Sequence, residues 1–347
     1  MTDLKISPVN VDLTPLVSST PKGISKIFNL LFFKKLQNNK RAEMLTNAQT
    51  EKDIELIKSG LAEYRADCLV LASNYENNPI TVGSSLIQQQ QIVENKNVAL
   101  CLDEALEYLV NTPDNDVNDI PISETFFNKW FNFSKEVSDI ELQNLWGRLL
   151  SEEVKAPESI NYLVLNTFSL MSKKHLDTFI KLIPYTAYSW LIFYDEKTPI
   201  NERFEGVSNQ ELQELQDLKI IKEINQGLST TYPLQHCLCD DRKTYYFSKS
   251  YNGDYVLYLH SDVDQEISIT AYALTSIGQK LLEISEKNLD LESGCIFFAK
   301  KLINFEKLKR VNKIEIRRRE NDRRANSNMR CDSLKSLMII NKLSKFL

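Results

Sequence analysis

The hydrophobic period of this chain changes partway along it, and the change fixes the class of fold open to it. From Ser123 to about Ala187 apolar side chains recur at helical spacing, whereas Trp190–Ala273 contains short runs rich in Tyr, Phe, Val and Ile that read as strands. Helices, then strands, then a closing helix make an α+β fold, mostly α-helical. Ser123 can start a helix presenting Phe126, Phe127, Trp130 and Phe131, and Ser138 with Glu141 makes a capping box for the next. Leu142, Leu145, Trp146, Leu149 and Leu150 then fall at i, i+3, i+4, i+7 and i+8, a core stripe in which Trp146 and Leu149 have no binding role. After Pro157 a third helix carries Ile160, Leu163, Val164, Phe168 and Met171, and Ser172 restarts a fourth through Leu176, Phe179 and Ile180. Residues 122–188 therefore read as a compact aromatic helical module.

Beyond it, Ser208 with Glu211 is another capping box, leading a helix with Leu212, Leu215 and Leu218. Thr244–Lys249 and Asp254–His260 flank Asn252-Gly253, a strong hairpin signal, and Ile267–Ala273 is a third strand before a helix starting at Thr275. This order makes residues 189–299 a winged-helix-like α+β unit with a β-hairpin. Upstream, residues 1–20 with Pro8 and Pro15 read as an extended arm, and 21–111 as a helical N-terminal region. Its long helices span 43–73, with Ile54, Ile57, Leu61, Tyr64 and Cys68, and 84–111, with Ile92, Ala99, Leu102, Leu106 and Leu109. Broken at Asn77-Asn78-Pro79, they form an antiparallel helical hairpin suited to self-association. Residues 112–121, with Pro113, Asp114 and Asp116, read as a linker.

Composition narrows the chemistry. The nine glycines include no two within six residues, which excludes GxGxxG, GxxxxGK and GxSxG. His175, His236 and His260 lie too far apart for HExxH zinc chemistry. The six cysteines are too few and too irregular for a disulfide framework, which points to a reducing, cytoplasmic setting. No signal peptide is evident and no run approaches the roughly 20 apolar residues that span a bilayer. His236-Cys237-Leu238-Cys239 resembles half of a zinc site, but the second ligand pair is missing, so it reads as a loop. Glu152 and Glu153 are adjacent near a helix end, point in different directions and read as a solvated turn. No catalytic, cofactor-binding or metal residues are expected, and no cofactor.

The formal net charge of −5 conceals a partition. Residues 1–41 carry seven Lys/Arg against two Asp/Glu, residues 42–299 twenty against forty, and residues 300–347 fifteen against five. The last segment reads as a basic C-terminal tail, removable without loss of the fold. Arg317, Arg318, Arg319, Arg323, Arg324 and Arg330 are its candidate polyanion-binding residues, and the scarcity of aromatics from Lys307 to Leu343 makes any nucleic-acid contact nonspecific. Three readings stay open: neutralisation against the acidic body, nucleic acid, and an anionic membrane surface met by residues 21–41 and 334–347.

The run Trp130-Phe131-Asn132-Phe133-Ser134-Lys135-Glu136-Val137-Ser138-Asp139 and its continuation Leu145-Trp146-Gly147-Arg148-Leu149-Leu150-Ser151-Glu152-Glu153 resemble a bacterial family catalogued as domain of unknown function 2806. The late element Leu274-Thr275-Ser276-Ile277-Gly278-Gln279-Lys280-Leu281 and the Gln/Asn-rich Gln88 to Asn97 are similar to that family as well, so the resemblance covers roughly residues 20–300. It brings no activity to transfer. The expectation is a non-catalytic binding or scaffold protein, with a bacterial defence or stress-response role by association alone. The alternatives are a DNA-associated winged-helix-like regulator using residues 208–285 and the tail, or a peripheral membrane protein using both basic ends.

Overall fold

The computed structural model describes residues 21–31, 54, 58, 62–65, 68–71, 79–222, 230–236, 244–249, 254–262, 266–286, 289–319 and 334–342. The chain forms two compact units, Met1–Ile160 and Asn161–Leu347, and the fold is α+β and mostly helical. The boundary falls inside residues 122–188, so the first two helices read there belong to one unit and the last two to the other. The extended arm of residues 1–20 lies outside the described residues.

In the first unit, helix α1 covers 22–31, α2 Pro79–Val110, α3 Glu124–Ser134 and α4 Ile140–Lys155. Pro79 opens α2, where a missing N–H costs nothing. The expected helix over 43–73 is not continuous: Ala62–Arg65 (β1) and Cys68–Leu71 (β2) pair antiparallel. The helical spacing there runs past Gly60 into the apolar run Leu69-Val70-Leu71, which suits a strand equally well. On α4 all five stripe residues are buried, and Trp130 of α3 donates its indole N–H to the Trp146 carbonyl at 3.0 Å. The α4 cap is Asp139 rather than Ser138, its carboxylate accepting from the Glu141 and Leu142 amides. A buried Arg148, unanticipated from sequence, lies over the Tyr108 ring with its Nε donating to the Tyr108 hydroxyl.

Residues 112–121 are pinned in place. Lys22 of α1 meets the Asp119 carboxylate at 2.5 Å and the Val117 carbonyl, and Lys26 donates to the carbonyls of Asn118 and Ile120. Ile24 and Ile27 are buried while Phe28 is exposed, so α1 spends its apolar face against this unit.

The second unit contains α5 Tyr162–Ser169, α6 Lys173–Leu182, α7 Asn209–Asp217, α8 Ser276–Glu286 and α9 Leu291–Leu302. Asn161 caps α5, and Leu163, placed by sequence on its core face, is 65% exposed, with Leu165 buried instead. The Ser208–Glu211 capping box is present as expected. At the other end of α7 Lys219 has φ 60°, while the Ile220 amide donates to Leu215 and the Lys219 amide to Gln216, a Schellman cap with lysine where glycine is usual.

Two antiparallel sheets complete this unit. The smaller has the order β3 (Thr186–Ala187), β4 (Leu191–Tyr194), β9 (Ser268–Ala273), β5 (Thr230–Pro233). The larger has the order β11 (Leu334–Asn341), β10 (Val311–Arg319), β8 (Tyr255–Ser261), β7 (Thr244–Lys249), β6 (Gln235–His236). The strands flanking Asn252-Gly253 pair from Thr244↔His260 to Lys249↔Tyr255, as the hairpin signal required. The third strand, however, joins the smaller sheet. The basic "tail" is corrected outright: it supplies β10 and β11, and Leu308, Val311, Ile314 and Ile316 are fully buried.

Two glycines set backbone approach. A Cβ on Gly147 would strike the Glu104 side chain and stand 2.9 Å from the Ala105 nitrogen and Cys101 carbonyl oxygen on α2. One on Gly278 would strike the Ile220 carbonyl oxygen. Gly147→Ala and Gly278→Ala should each destabilise by about 1–3 kcal/mol through overpacking, despite a helix-propensity gain of about 1 kcal/mol. Thermal unfolding of each variant checks this; an unchanged or raised midpoint refutes it.

Candidate functional site

Strand alternation puts Lys249, at the end of β7, on the same side as the buried Tyr245 and Phe247. Its aliphatic stem enters the core and its ammonium reaches the turn after α6. There Nζ donates to the carbonyls of Ile183 at 3.2 Å, Pro184 at 2.5 Å and Thr186 at 2.5 Å, and sits 4.8 Å from the Phe298 ring centroid. An ammonium has three donors, and all three are used. Lys249 is 4% exposed, and burial pulls its pKa down to about 8, against the opposing charge of Glu286.

Lys249 borders a cavity of about 280 Å³ whose walls include Ile183, Pro184, Leu291 and Phe297, with Glu286 and Cys295 beside them. Glu286 and Cys295 are buried, and burial pushes the Cys295 thiol up to about 12. Glu286 also faces a second cleft of about 380 Å³, lined by Asp254, Glu283, Asp290, Glu292 and Arg318. Among the described residues no three His, Cys, Asp or Glu side chains converge as metal ligands would.

Native Lys249 loses its proton near pH 8, whereas in the unfolded chain it does so near 10.5. Between those values the unfolded state binds more protons, so this residue's contribution to stability rises with pH and is least favourable below pH 8. The stability of wild type relative to Lys249→Met should therefore increase from pH 8 to 10.5, by at most about 3 kcal/mol. Urea unfolding of both proteins across that range checks it; parallel pH profiles refute it.

The arginines named from sequence do not form one patch. Arg317 and Arg318 project to opposite faces of β10: the Arg317 guanidinium lies 4.5 Å from the Tyr258 ring centroid, that of Arg318 5.7 Å from Tyr255. Arg317 Nε and Nη2 meet the two Glu315 oxygens at 3.0 and 3.1 Å. Burial alone would raise the Glu315 carboxyl, but hydrogen bonds from Arg317 and Ser336 outweigh it and bring it to about 2. Arg318 lines the acidic cleft. Arg319 ends β10 opposite Leu334, while Arg323, Arg324 and Arg330 lie outside the described residues, as do Cys237 and Cys239. Other cations of the segment are also engaged, Lys301 with Glu205 at 3.0 Å and Lys307 with Glu196 at 2.9 Å.

The acidic pair departs from its expected solvated turn. Glu153 is buried and accepts from the amides of Glu158 at 2.8 Å and Ile160 at 3.0 Å, holding a loop in which Glu158 has φ 70°. Glu152 pairs with Lys155 at 2.8 Å. No helix among the described residues is long and apolar enough to cross a membrane.

An α+β protein with a buried, carbonyl-bound lysine beside an apolar cavity is the class these observations define. A model of the family described as protein of unknown function (DUF2806) matches residues 84–293, and the chain belongs to that family. No curated protein and no solved structure matches it. Gly147 and Gly278 lie within two of the stretches that carried the resemblance, which gives those two a packing role.

Proposed function

We propose that the protein acts by binding, as a scaffold or recruiting component, and performs no chemistry of its own. The observation that carries this reading is the state of the groups around the cavity. A lysine serves as nucleophile or base only as the free amine, whereas at pH 7 Lys249 is mostly the ammonium, which spends all three N–H donors on carbonyls of its own unit. A cysteine serves as nucleophile as the thiolate, and burial keeps Cys295 a thiol. What is left is shape: apolar walls with fixed polar groups at one side, features that suit recognition.

The DNA-associated reading draws less support, because Arg317 is paired with Glu315 and Arg318 lies among carboxylates, which favours self-neutralisation for these two residues. The test uses a lysine-acylating reagent and iodoacetamide on the native full chain at pH 7, with peptide mapping. Surface lysines should react while Lys249 and Cys295 stay unmodified until the protein is denatured. Rapid native labelling of either residue would overturn the binding-only reading.

A further inference from the structure

Over its described side chains, residues 89–110, helix α2 buries one side and leaves the opposite side exposed. Asn97, Val98, Cys101, Ala105 and Leu109 are buried, whereas Ile92 is 69% exposed, Leu100 38% and Val110 57%, and Lys96, Ala99 and Asp103 are exposed as well. At 3.6 residues per turn these six share one face, directly across the helix from Ala105. Sequence spacing alone had grouped Ile92 and Ala99 with Leu109; they lie on the opposite side. Lys96 and Asp103 stand seven residues apart at the centre of the bare face, and among the described residues neither has an ion-pair partner.

We infer that this face is a self-complementary docking surface for a second copy of the chain, with the two α2 helices antiparallel about a two-fold axis near Leu100. The charges decide the direction. A parallel, in-register pair sets Lys96 against Lys96 and Asp103 against Asp103, placing like charges together twice. The antiparallel pair sets Lys96 of each copy near Asp103 of the other. The same axis passes between Ala99 and Leu100, so that each Leu100 meets Ala99 of the other copy, and it sets Ile92 opposite the exposed Glu107, one turn from Val110. Small Ala99 at the centre lets the helices approach closely. The face extends about 27 Å, at 1.5 Å per residue from Ile92 to Val110. A single helix pair of that length is a small interface, so the dimer dissociates on dilution. The surface lies on the first unit and is independent of the cavity beside Lys249, so it stands or falls separately from the reading given for that cavity.

Sedimentation velocity of the full-length protein over a concentration series is the test, with circular dichroism confirming that each variant keeps its fold. The wild type should shift from monomer to dimer as concentration rises. Leu100→Glu, Lys96→Glu and Asp103→Lys should each remain monomeric over the same range. The double variant Lys96→Glu/Asp103→Lys exchanges the two charges and should recover dimerisation. A wild type that stays monomeric at high micromolar concentration overturns the inference, as does a Leu100→Glu protein that still dimerises. Failure of the double variant to recover removes the antiparallel arrangement.

Discussion

Deleting residues 300–347 is expected to unfold the second unit. The segment carries Leu302, Ile303, Leu308, Val311, Ile314 and Ile316, all buried, and β10 pairs along the whole of β8. At about 1.5–3 kcal/mol for each fully buried aliphatic side chain, their loss removes roughly 10–20 kcal/mol, as much as or more than the entire stability of a typical domain. Strand β8 would also present an unpaired edge in the middle of what had been a sheet, an invitation to aggregation. Limited proteolysis and thermal unfolding of the shortened chain check this. A truncated protein with an unchanged cooperative transition would show that β10 and β11 are accessories. The charge reading alone led to the opposite expectation, since fifteen positive charges in 48 residues look like a solvated tail.

Trp146→Ala should lower stability by about 3–5 kcal/mol. The indole is fully buried on α4, its ring centroid 6.0 Å from that of Phe133, and its backbone carbonyl receives the Trp130 N–H. Because Gly147 already brings α4 close to the α2 backbone, little room exists for the helices to collapse into the vacated space, which puts the cost toward the upper end. Chemical denaturation of the variant measures it; a loss below about 1 kcal/mol would refute the core assignment.

Local rules were legible where local physics decides. The five-residue stripe of α4, the Ser208–Glu211 box and the strands either side of Asn252-Gly253 each depend on neighbours within a few residues. Long-range pairings were not legible: nothing near residues 311–319 announces that their partner is 255–261. Arg317-Arg318-Arg319 hid the alternation of β10, since Ile314 and Ile316 face one side and only the long arginine stems follow them. The cavity was equally hidden. A lysine closing a Tyr/Phe-rich run reads as a strand end reaching solvent, and only the turn at 183–186, folded over it, makes Lys249 a core residue. Its single trace in the sequence is its parity with Tyr245 and Phe247. Glu153 was obscured in the same way, because the amides that bury it come from the loop that follows.

The order β11-β10-β8-β7-β6 also sets a timetable. As the chain leaves the ribosome, β7 and β8 can pair at once, but β8 must wait for residues 311–319, and those for 334–341, before the sheet is whole. Synthesis at roughly 5–20 residues per second leaves that edge unpaired for several seconds. The first unit, whose described strands and helices all precede residue 161, can meanwhile complete its own core. The two halves of the molecule therefore mature one after the other, and the later half is the one for which a chaperone's attention matters.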